Sequence, residues 1–176
     1  MQRCRIFTRT WTRLGLVVAT VGIALALVAG PAGAGSTKRL TFTSAPPTST
    51  NVDTGTPGVG SGDYTSFYAA LSDSSGKPAG WLYGTKTLVA LPGEAGMAAD
   101  RGLFENLLTF RFTDGSTIVV GGIQTAVLGA SGYNGSADPG DRAVIGGTGR
   151  FAGARGVLTT SANPDNSRKQ VFVLSK

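Results

Sequence analysis

The stretch Val144–Val157 constrains the fold most strongly, because five glycines fall within eleven of its residues. Each interior glycine costs an α-helix roughly 1 kcal/mol relative to alanine, whereas glycine suits a corner where the backbone bends or approaches a neighbouring strand. The stretch therefore predicts two short strands around a turn. A nucleotide-binding loop is disfavoured, because the glycines lack the Lys-Ser or Lys-Thr of a P-loop and are followed by another glycine-broken strand instead of a helix.

The first 34 residues have the features of a secretory signal peptide. An arginine-rich start without acidic residues leads into the apolar block 14–28, and the small residues Ala32-Gly33-Ala34 follow. The apolar block is short for a membrane span of about 20 residues, so an uncleaved anchor is the less favoured alternative. Cleavage after Ala34 removes Cys4, the only cysteine, and leaves a secreted chain with no membrane attachment and no disulfide.

Composition excludes several kinds of chemistry. The sequence contains no histidine, which rules out Ser-His-Asp triads and the usual zinc ligand sets, and we expect neither a cofactor nor a metal. Removing residues 1–34 takes away four of the 16 basic residues and none of the 10 acidic ones, which leaves a net charge of +2. Basic residues are then mostly scattered singly, so nucleic acid is not expected as a partner.

The remaining sequence divides into an arm and a domain. Residues 35–61 are rich in Ser, Thr, Pro and Gly and include one short strand near Leu40–Thr43, so they predict a linker or mobile arm. Residues 62–176 alternate apolar and polar side chains in short segments, with turn residues such as Asp114-Gly115, a type I′ hairpin signal, between them. A polar loop is expected over 129–140.

We count about eight strands and no long helix, which predicts an all-β fold, an eight-stranded antiparallel β-barrel. A two-sheet sandwich is the main alternative, because alternation alone separates the two architectures poorly. The predicted strands beyond the arm cover 63–72, 80–91, 103–113, 116–128, the two halves of 144–157, and 169–174.

From about Gly62 to Leu174 the sequence resembles the dirigent proteins and the allene oxide cyclases. The segment from Val144 to Gly156 is similar to the dirigent stretch V-V-G-G-T-G-x-F-x-x-A-R-G, and Phe112–Ser116 resembles the hairpin before it. The resemblance implies a calycin-type barrel that forms homotrimers. It also implies a cavity in which a small hydrophobic molecule is folded into one conformation for stereoselective coupling or cyclisation, a dirigent or isomerase-like activity that needs no histidine, cysteine or metal.

Candidate site residues are those that would give an apolar cavity a few polar contacts. Three could carry catalysis: Glu105, Arg111 and Asp63. Five could bind the ligand: Tyr64, Tyr68, Tyr83, Phe67 and Trp81. The alternative interpretation is that Glu105 and Arg111 lie on a solvated outer surface and that the tyrosines are ordinary barrel aromatics.

Three functional hypotheses remain open. The favoured one is a secreted barrel that steers the coupling or cyclisation of a small hydrophobic molecule. The others are a lipocalin-like carrier without chemistry, and an extracellular interaction module whose barrel is filled by its own side chains. An open interior cavity would argue against the last of these.

Overall fold

The computed structural model describes residues 37–129, 132–137 and 140–175, with the backbone alone for 129 and 132–137. The predicted signal peptide, residues 1–34, lies outside the described residues, and so does Cys4. Within the described ranges, no helix has the length and apolar character needed to span a membrane.

The described chain is built from ten β-strands and one short 3₁₀ turn, Gly149–Phe151. The strands are β1 Lys38–Ser44, β2 Thr48–Val52, β3 Tyr64–Asp73, β4 Pro78–Ala90, β5 Arg101–Phe112, β6 Thr117–Gly129, β7 Gly132–Ala137, β8 Gly140–Thr148, β9 Arg155–Ala162 and β10 Arg168–Ser175. The 3₁₀ turn separates β8 from β9, so the glycine-rich stretch forms two strands around a turn as predicted.

Eight of the strands form a closed antiparallel barrel. The hydrogen-bonded order runs β1-β10-β9-β8-β6-β5-β4-β3, and β1 pairs again with β3 to close the ring. The closing seam is short, because only Phe42, Thr43 and Ser44 of β1 pair with β3. The predicted eight-stranded barrel is confirmed, and the two-sheet sandwich is not what forms.

The other two strands, β2 and β7, were not predicted. β2 pairs with the first half of β3, beyond the seam with β1, and β7 pairs with the last part of β6, beyond the contact with β8. Residues 48–51 of β2 are all exposed, and they are all polar. Because apolar and polar residues do not alternate in this segment, its sequence does not predict a strand. Both segments are strands because each completes a hydrogen-bonding edge, which is a tertiary effect.

The hairpin between β5 and β6 differs from the predicted type I′ turn. A type I′ turn requires positive φ at both central residues, but among Thr113, Asp114 and Gly115 only Gly115 has one, at 80°. Gly115 donates its N–H to the Phe112 carbonyl, and Phe112 donates to the Ser116 carbonyl. These bonds define a three-residue loop, a type I turn followed by a left-handed glycine.

Two apolar clusters fill much of the barrel interior. The larger centres on Phe110 and Phe172, which are fully buried and meet edge to face with ring centroids 4.9 Å apart. The smaller consists of Leu88, Phe104 and Ala126, further along β4, β5 and β6. The face of β5 that contains Phe104 and Phe110 is the inner one, in agreement with the alternation of the sequence.

Gly156 shows why the glycine-rich stretch 144–157 requires glycine. Its φ is 140°, and a Cβ at this position would collide with the Val173 carbonyl oxygen of β10. β9 and β10 can therefore approach closely only when residue 156 has no side chain.

We expect Gly156→Ala to lower the free energy of unfolding by about 3 kcal/mol or more, because it combines a backbone collision with an unfavourable φ. Gly153→Ala is the matched control. Gly153 also has positive φ, at 75°, but its Cβ would meet nothing within 4 Å, so only the conformational cost of about 1 kcal/mol applies. Urea unfolding measures both, and equal losses would contradict the explanation.

Candidate functional site

A belt of polar side chains lies inside the barrel. On β4, Lys86 is the inward residue between Leu82 of the larger apolar cluster and Leu88 of the smaller one. On β6, Gln124 has the same place between Val120 and Ala126. Each of the eight barrel strands contributes one side chain to this polar belt: Ser44, Thr65, Lys86, Asn106, Gln124, Arg142, Thr160 and Gln170.

Arg142 is the centre of the belt. Its side chain is only 5% exposed, and it donates from Nη1 to Gln124 Oε1 at 3.2 Å and from Nη2 to Thr160 Oγ1. The Thr160 hydroxyl in turn donates to Gln170 Oε1 at 2.7 Å, and Gln170 Nε2 donates to Ser44 Oγ at 3.1 Å. The chain of hydrogen bonds connects β6, β8, β9, β10 and β1.

An open cavity of about 170 Å³ adjoins the belt. A cavity of roughly 150 Å³ holds a benzene molecule, so this space accommodates one small ring or a chain of similar size. Its lining combines apolar and polar side chains from all eight barrel strands, from β2 and from the segment between β1 and β2. The lining residues are Ser44, Ala45, Pro47, Ser49, Asn51, Thr65, Phe67, Ala69, Leu82, Lys86, Leu108, Gln124, Arg142, Thr160, Arg168 and Gln170.

Two glycines leave the space that the site needs. A Cβ on Gly84 would collide with the Phe67 ring and with Leu108, so this glycine allows the ring to form one wall of the cavity. A Cβ on Gly122 would lie 3.2 Å from Arg142 Cγ. Gly122 therefore leaves room for the Arg142 side chain.

The cavity is strongly basic. Three cationic side chains line it, Lys86, Arg142 and Arg168, and none of its lining residues is acidic. Burial, together with the nearby charges of Arg168 and Arg142, lowers the pKa of Lys86 to about 7. The Lys86 Nζ also lies 5.7 Å from the centre of the Phe67 ring. At neutral pH this amine is therefore present in both its charged and neutral forms.

Asn106 adds an acceptor to the same region. It pairs directly with Lys86 across β4 and β5 and is only 2% exposed. Its Nδ2 donates to the Phe104 carbonyl at 3.3 Å, whereas its Oδ1 is buried without a hydrogen-bond donor. A buried acceptor without a donor lowers the stability of the folded protein by about 1–3 kcal/mol. Such groups are rare in folded proteins and often have a functional role.

The structure places Glu105 and Arg111 on the outer face of the barrel. Both are exposed side chains of β5, and their neighbours Phe104, Asn106 and Phe112 point inward. The even-numbered residues of β5 point inward, so an odd-numbered residue such as Glu105 would reach the interior only if the whole strand shifted by one residue. The expected position in the cavity is therefore not found, and the outer-surface interpretation describes their placement.

The four predicted residues Tyr64, Tyr68, Tyr83 and Trp81 also lie on the outer face, each between 37% and 47% exposed. Tyr68 and Trp81 contact one another, with ring centroids 6.2 Å apart. Phe67 is the one predicted ligand-binding residue in the cavity wall. The roles assigned to the eight residues remain predictions, but the structure brings only Phe67 to the interior cavity.

Asp63 organises a loop. Its carboxylate accepts N–H bonds from Thr54 and Gly60, each at 2.8 Å. Backbone hydrogen bonds from Thr54 and Gly60 hold the pKa of Asp63 below its usual value, so it is ionised at neutral pH. This arrangement fixes the chain that enters β3 and leaves the carboxylate away from the cavity lining.

A second depression, of about 360 Å³, lies on the outer surface where β3, β4 and β5 meet their turns. It brings together two predicted residues, Trp81 and Arg111. Although it is larger, it is formed largely by hairpin ends and has a single cation in its lining. The interior cavity has the greater concentration of polar groups, so we treat that cavity as the candidate site.

The sequence analysis missed the three cations of the cavity. The signal for Lys86 was present, because alternation places it on the same face as Leu82 and Leu88. Alternation from Val144 likewise places Arg142 inward, but the strand was expected to begin only at residue 144. Across the described part of the chain, no three His, Cys, Asp or Glu side chains come together as a metal site.

The lowered pKa of Lys86 predicts how the free energy of unfolding depends on pH. Between pH 7 and 10.5 the unfolded chain holds a proton on this residue that the folded protein has released, so the contribution of Lys86 to the free energy of unfolding rises with pH. We expect Lys86→Met to stabilise the protein most at or below pH 7, and the gain to decline as the pH approaches 10.

Reversible urea unfolding across this pH range measures the difference. Lys169→Met, on an exposed position of β10, is the matched control and should show no such decline. A pH-independent difference for Lys86→Met would mean that the amine is not desolvated as the structure indicates.

Comparison with known proteins agrees with the barrel. No family model matches the sequence, and no curated protein matches it. Among solved structures, a pyocyanin demethylase is 25% identical with a TM-score of 0.55, and the match covers 80% of this chain and all of that one.

Two other matched structures are a dirigent protein and a cyclase. A pterocarpan synthase dirigent protein is 18% identical with a TM-score of 0.53, and the match covers 80% of this chain and 86% of the dirigent protein. An exo-specific intermolecular Diels–Alderase is 18% identical with a TM-score of 0.54, with 81% of this chain and all of the enzyme covered. The chain therefore has the β-barrel fold shared by the dirigent proteins and the related cyclase barrels.

Proposed function

We propose that the interior cavity binds a small molecule with an apolar ring or chain and a negatively charged group, and holds it in one conformation for cyclisation or coupling. The observation that carries this proposal is the lining of the cavity. Phe67, Leu82 and Leu108 provide an apolar surface, and Arg142 and Arg168 provide cationic groups for a carboxylate, phenolate or enolate.

The size of the cavity supports a small substrate. At about 170 Å³ it holds a ring or a short chain, and the rest of a longer molecule would extend out of the open cavity, whose lining includes the exposed residues Pro47 and Ser49. The sequence predicted a hydrophobic ligand. The three cations extend that expectation to an amphiphilic molecule whose anionic end offsets their charge.

The structural neighbours support steering as the activity. One is a dirigent protein of pterocarpan synthesis, another is a Diels–Alderase, and a third is a cyclase that catalyses a [4 + 2] cycloaddition, with a TM-score of 0.56. Such reactions proceed once the reacting atoms are held close together, so a rigid cavity accelerates them by restricting conformation and excluding water. Cationic groups aimed at developing negative charge add electrostatic stabilisation.

Two further properties belong to the proposal. Export is supported by the arginine-rich start, the apolar block 14–28 and the small residues before Gly35, so mass spectrometry of exported protein should find Gly35 as the first residue.

A homotrimer is supported by apolar side chains on the outer face, among them Ile123 at 62% exposed and Leu107 at 52%. Light scattering on purified protein tests the trimer directly.

The binding test uses 4-hydroxycinnamate and its uncharged amide as probes. We expect the carboxylate to bind at least about tenfold more tightly, because a charge-assisted hydrogen bond contributes about 1.5–3 kcal/mol. Ala69→Leu fills the cavity from β3 and should abolish binding. Ala70→Leu, on the exposed outer face of the same strand, is the matched control and should bind normally.

Steering is tested by adding the protein to reactions that proceed spontaneously. The probes are the coupling of 4-hydroxycinnamate phenoxy radicals, which an added one-electron oxidant generates, and the intramolecular cycloaddition of a triene carboxylate. We expect enrichment of one product enantiomer with the parent protein and with Ala70→Leu, and racemic product with Ala69→Leu. Tight binding with racemic product in every reaction would instead identify a carrier.

A further inference from the structure

Lys86 provides the cavity with a primary amine. It is the one lysine among the residues that line the cavity, and it lies in the middle of β4 with apolar residues above and below it on the same face. Because the cavity is open and Lys86 is part of its lining, a small molecule that enters it reaches this side chain.

The surroundings of Lys86 favour the neutral, nucleophilic form of the amine. Arg142 on β8 and Arg168 on β10 are the titratable groups in the cavity lining besides Lys86 itself, and both are positively charged. The other strands present side chains that do not titrate: Ser44, Thr65, Phe67, Ala69, Leu82, Asn106, Leu108, Gln124, Thr160 and Gln170. A lysine that is desolvated beside other cations is a well-understood way to obtain a nucleophilic amine near neutral pH.

We propose that Lys86 forms an imine with small aldehydes or ketones that carry an anionic group, such as 2-oxo acids. The inference rests on the proposed function to the extent that both require a ligand in the interior cavity. The neutral Nζ attacks the carbonyl carbon, and the carbonyl oxygen takes up a proton to give a carbinolamine. Loss of water then forms the C=N bond, with no oxidant or reductant required.

The anionic group of the substrate has two effects. It binds the guanidinium groups of Arg142 or Arg168, which holds the carbonyl carbon near Nζ. It also offsets the positive charge of the protonated imine, which would otherwise be repelled by the same arginines. A protonated imine withdraws electrons from a conjugated double bond, so an unsaturated substrate bound in this way would be activated for cycloaddition.

The experiment traps the imine in the full folded protein. Glyoxylate is added with cyanoborohydride at pH 7, and the modified residues are located by peptide mass spectrometry. We expect Lys86 to be labelled at least about tenfold faster than the exposed lysines Lys77 and Lys169, because far more of its amine is neutral at this pH. The labelling rate of Lys86 should level off above about pH 7.

Two variants and a second aldehyde serve as controls for the labelling of Lys86. Lys86→Arg keeps the positive charge and should remove the fast labelling, and Ala69→Leu should slow it by closing the cavity. Acetaldehyde, which carries no anionic group, should label Lys86 at least about tenfold more slowly than glyoxylate, since a charge-assisted hydrogen bond is lost.

Labelling of Lys86 no faster than that of Lys77 would overturn the proposal. If 4-hydroxycinnamate still binds the same preparation, the failure concerns the imine alone and the proposed function stands. If the probe does not bind and Lys86 is not labelled, both fail. Equal rates with glyoxylate and acetaldehyde would overturn the assignment of an anionic substrate.

Discussion

The burial of a guanidinium inside a narrow barrel is the constraint on which the rest of this structure depends. A charged group loses much of its hydration in such a place and is tolerated only when hydrogen bonds replace the water. The two Nη atoms of Arg142 meet this requirement through Gln124 and Thr160, and the chain of bonds continues to Gln170 and Ser44. The network connects five of the eight strands, so the residues that give the cavity its charge also hold its walls together.

The interior is filled at one level and open at the next. The rings of the larger cluster around Phe110 and Phe172 are buried in the core, whereas the cavity adjoins the polar belt. The long side chains of Lys86 and Arg142 line the cavity, and the small side chain of Ala69 in the same lining leaves part of the interior open. In every barrel strand each second residue points inward. The inward residues are apolar at one level of the barrel, where they form the core, and polar at the next level, beside the open cavity.

The sequence was sufficient for the architecture but not for the site. Alternation and the glycine-rich corner between β8 and β9 predicted the barrel, since both are local properties of the chain. β2 and β7 were missed because they are strands only through the edges that they complete. Alternation also shows which residues share a face without showing which face is inside. On β3 and β4 the aromatic face with Tyr68 and Tyr83 is the outer one.

The seam between β1 and β3 is the shortest junction in the barrel wall. Most neighbouring barrel strands are joined along seven or more residue pairs, but this junction has three. Ser44, at its end, both closes the wall and accepts the last bond of the belt. The barrel wall is therefore joined by its fewest backbone pairs at the strand end where the hydrogen-bonded belt also ends.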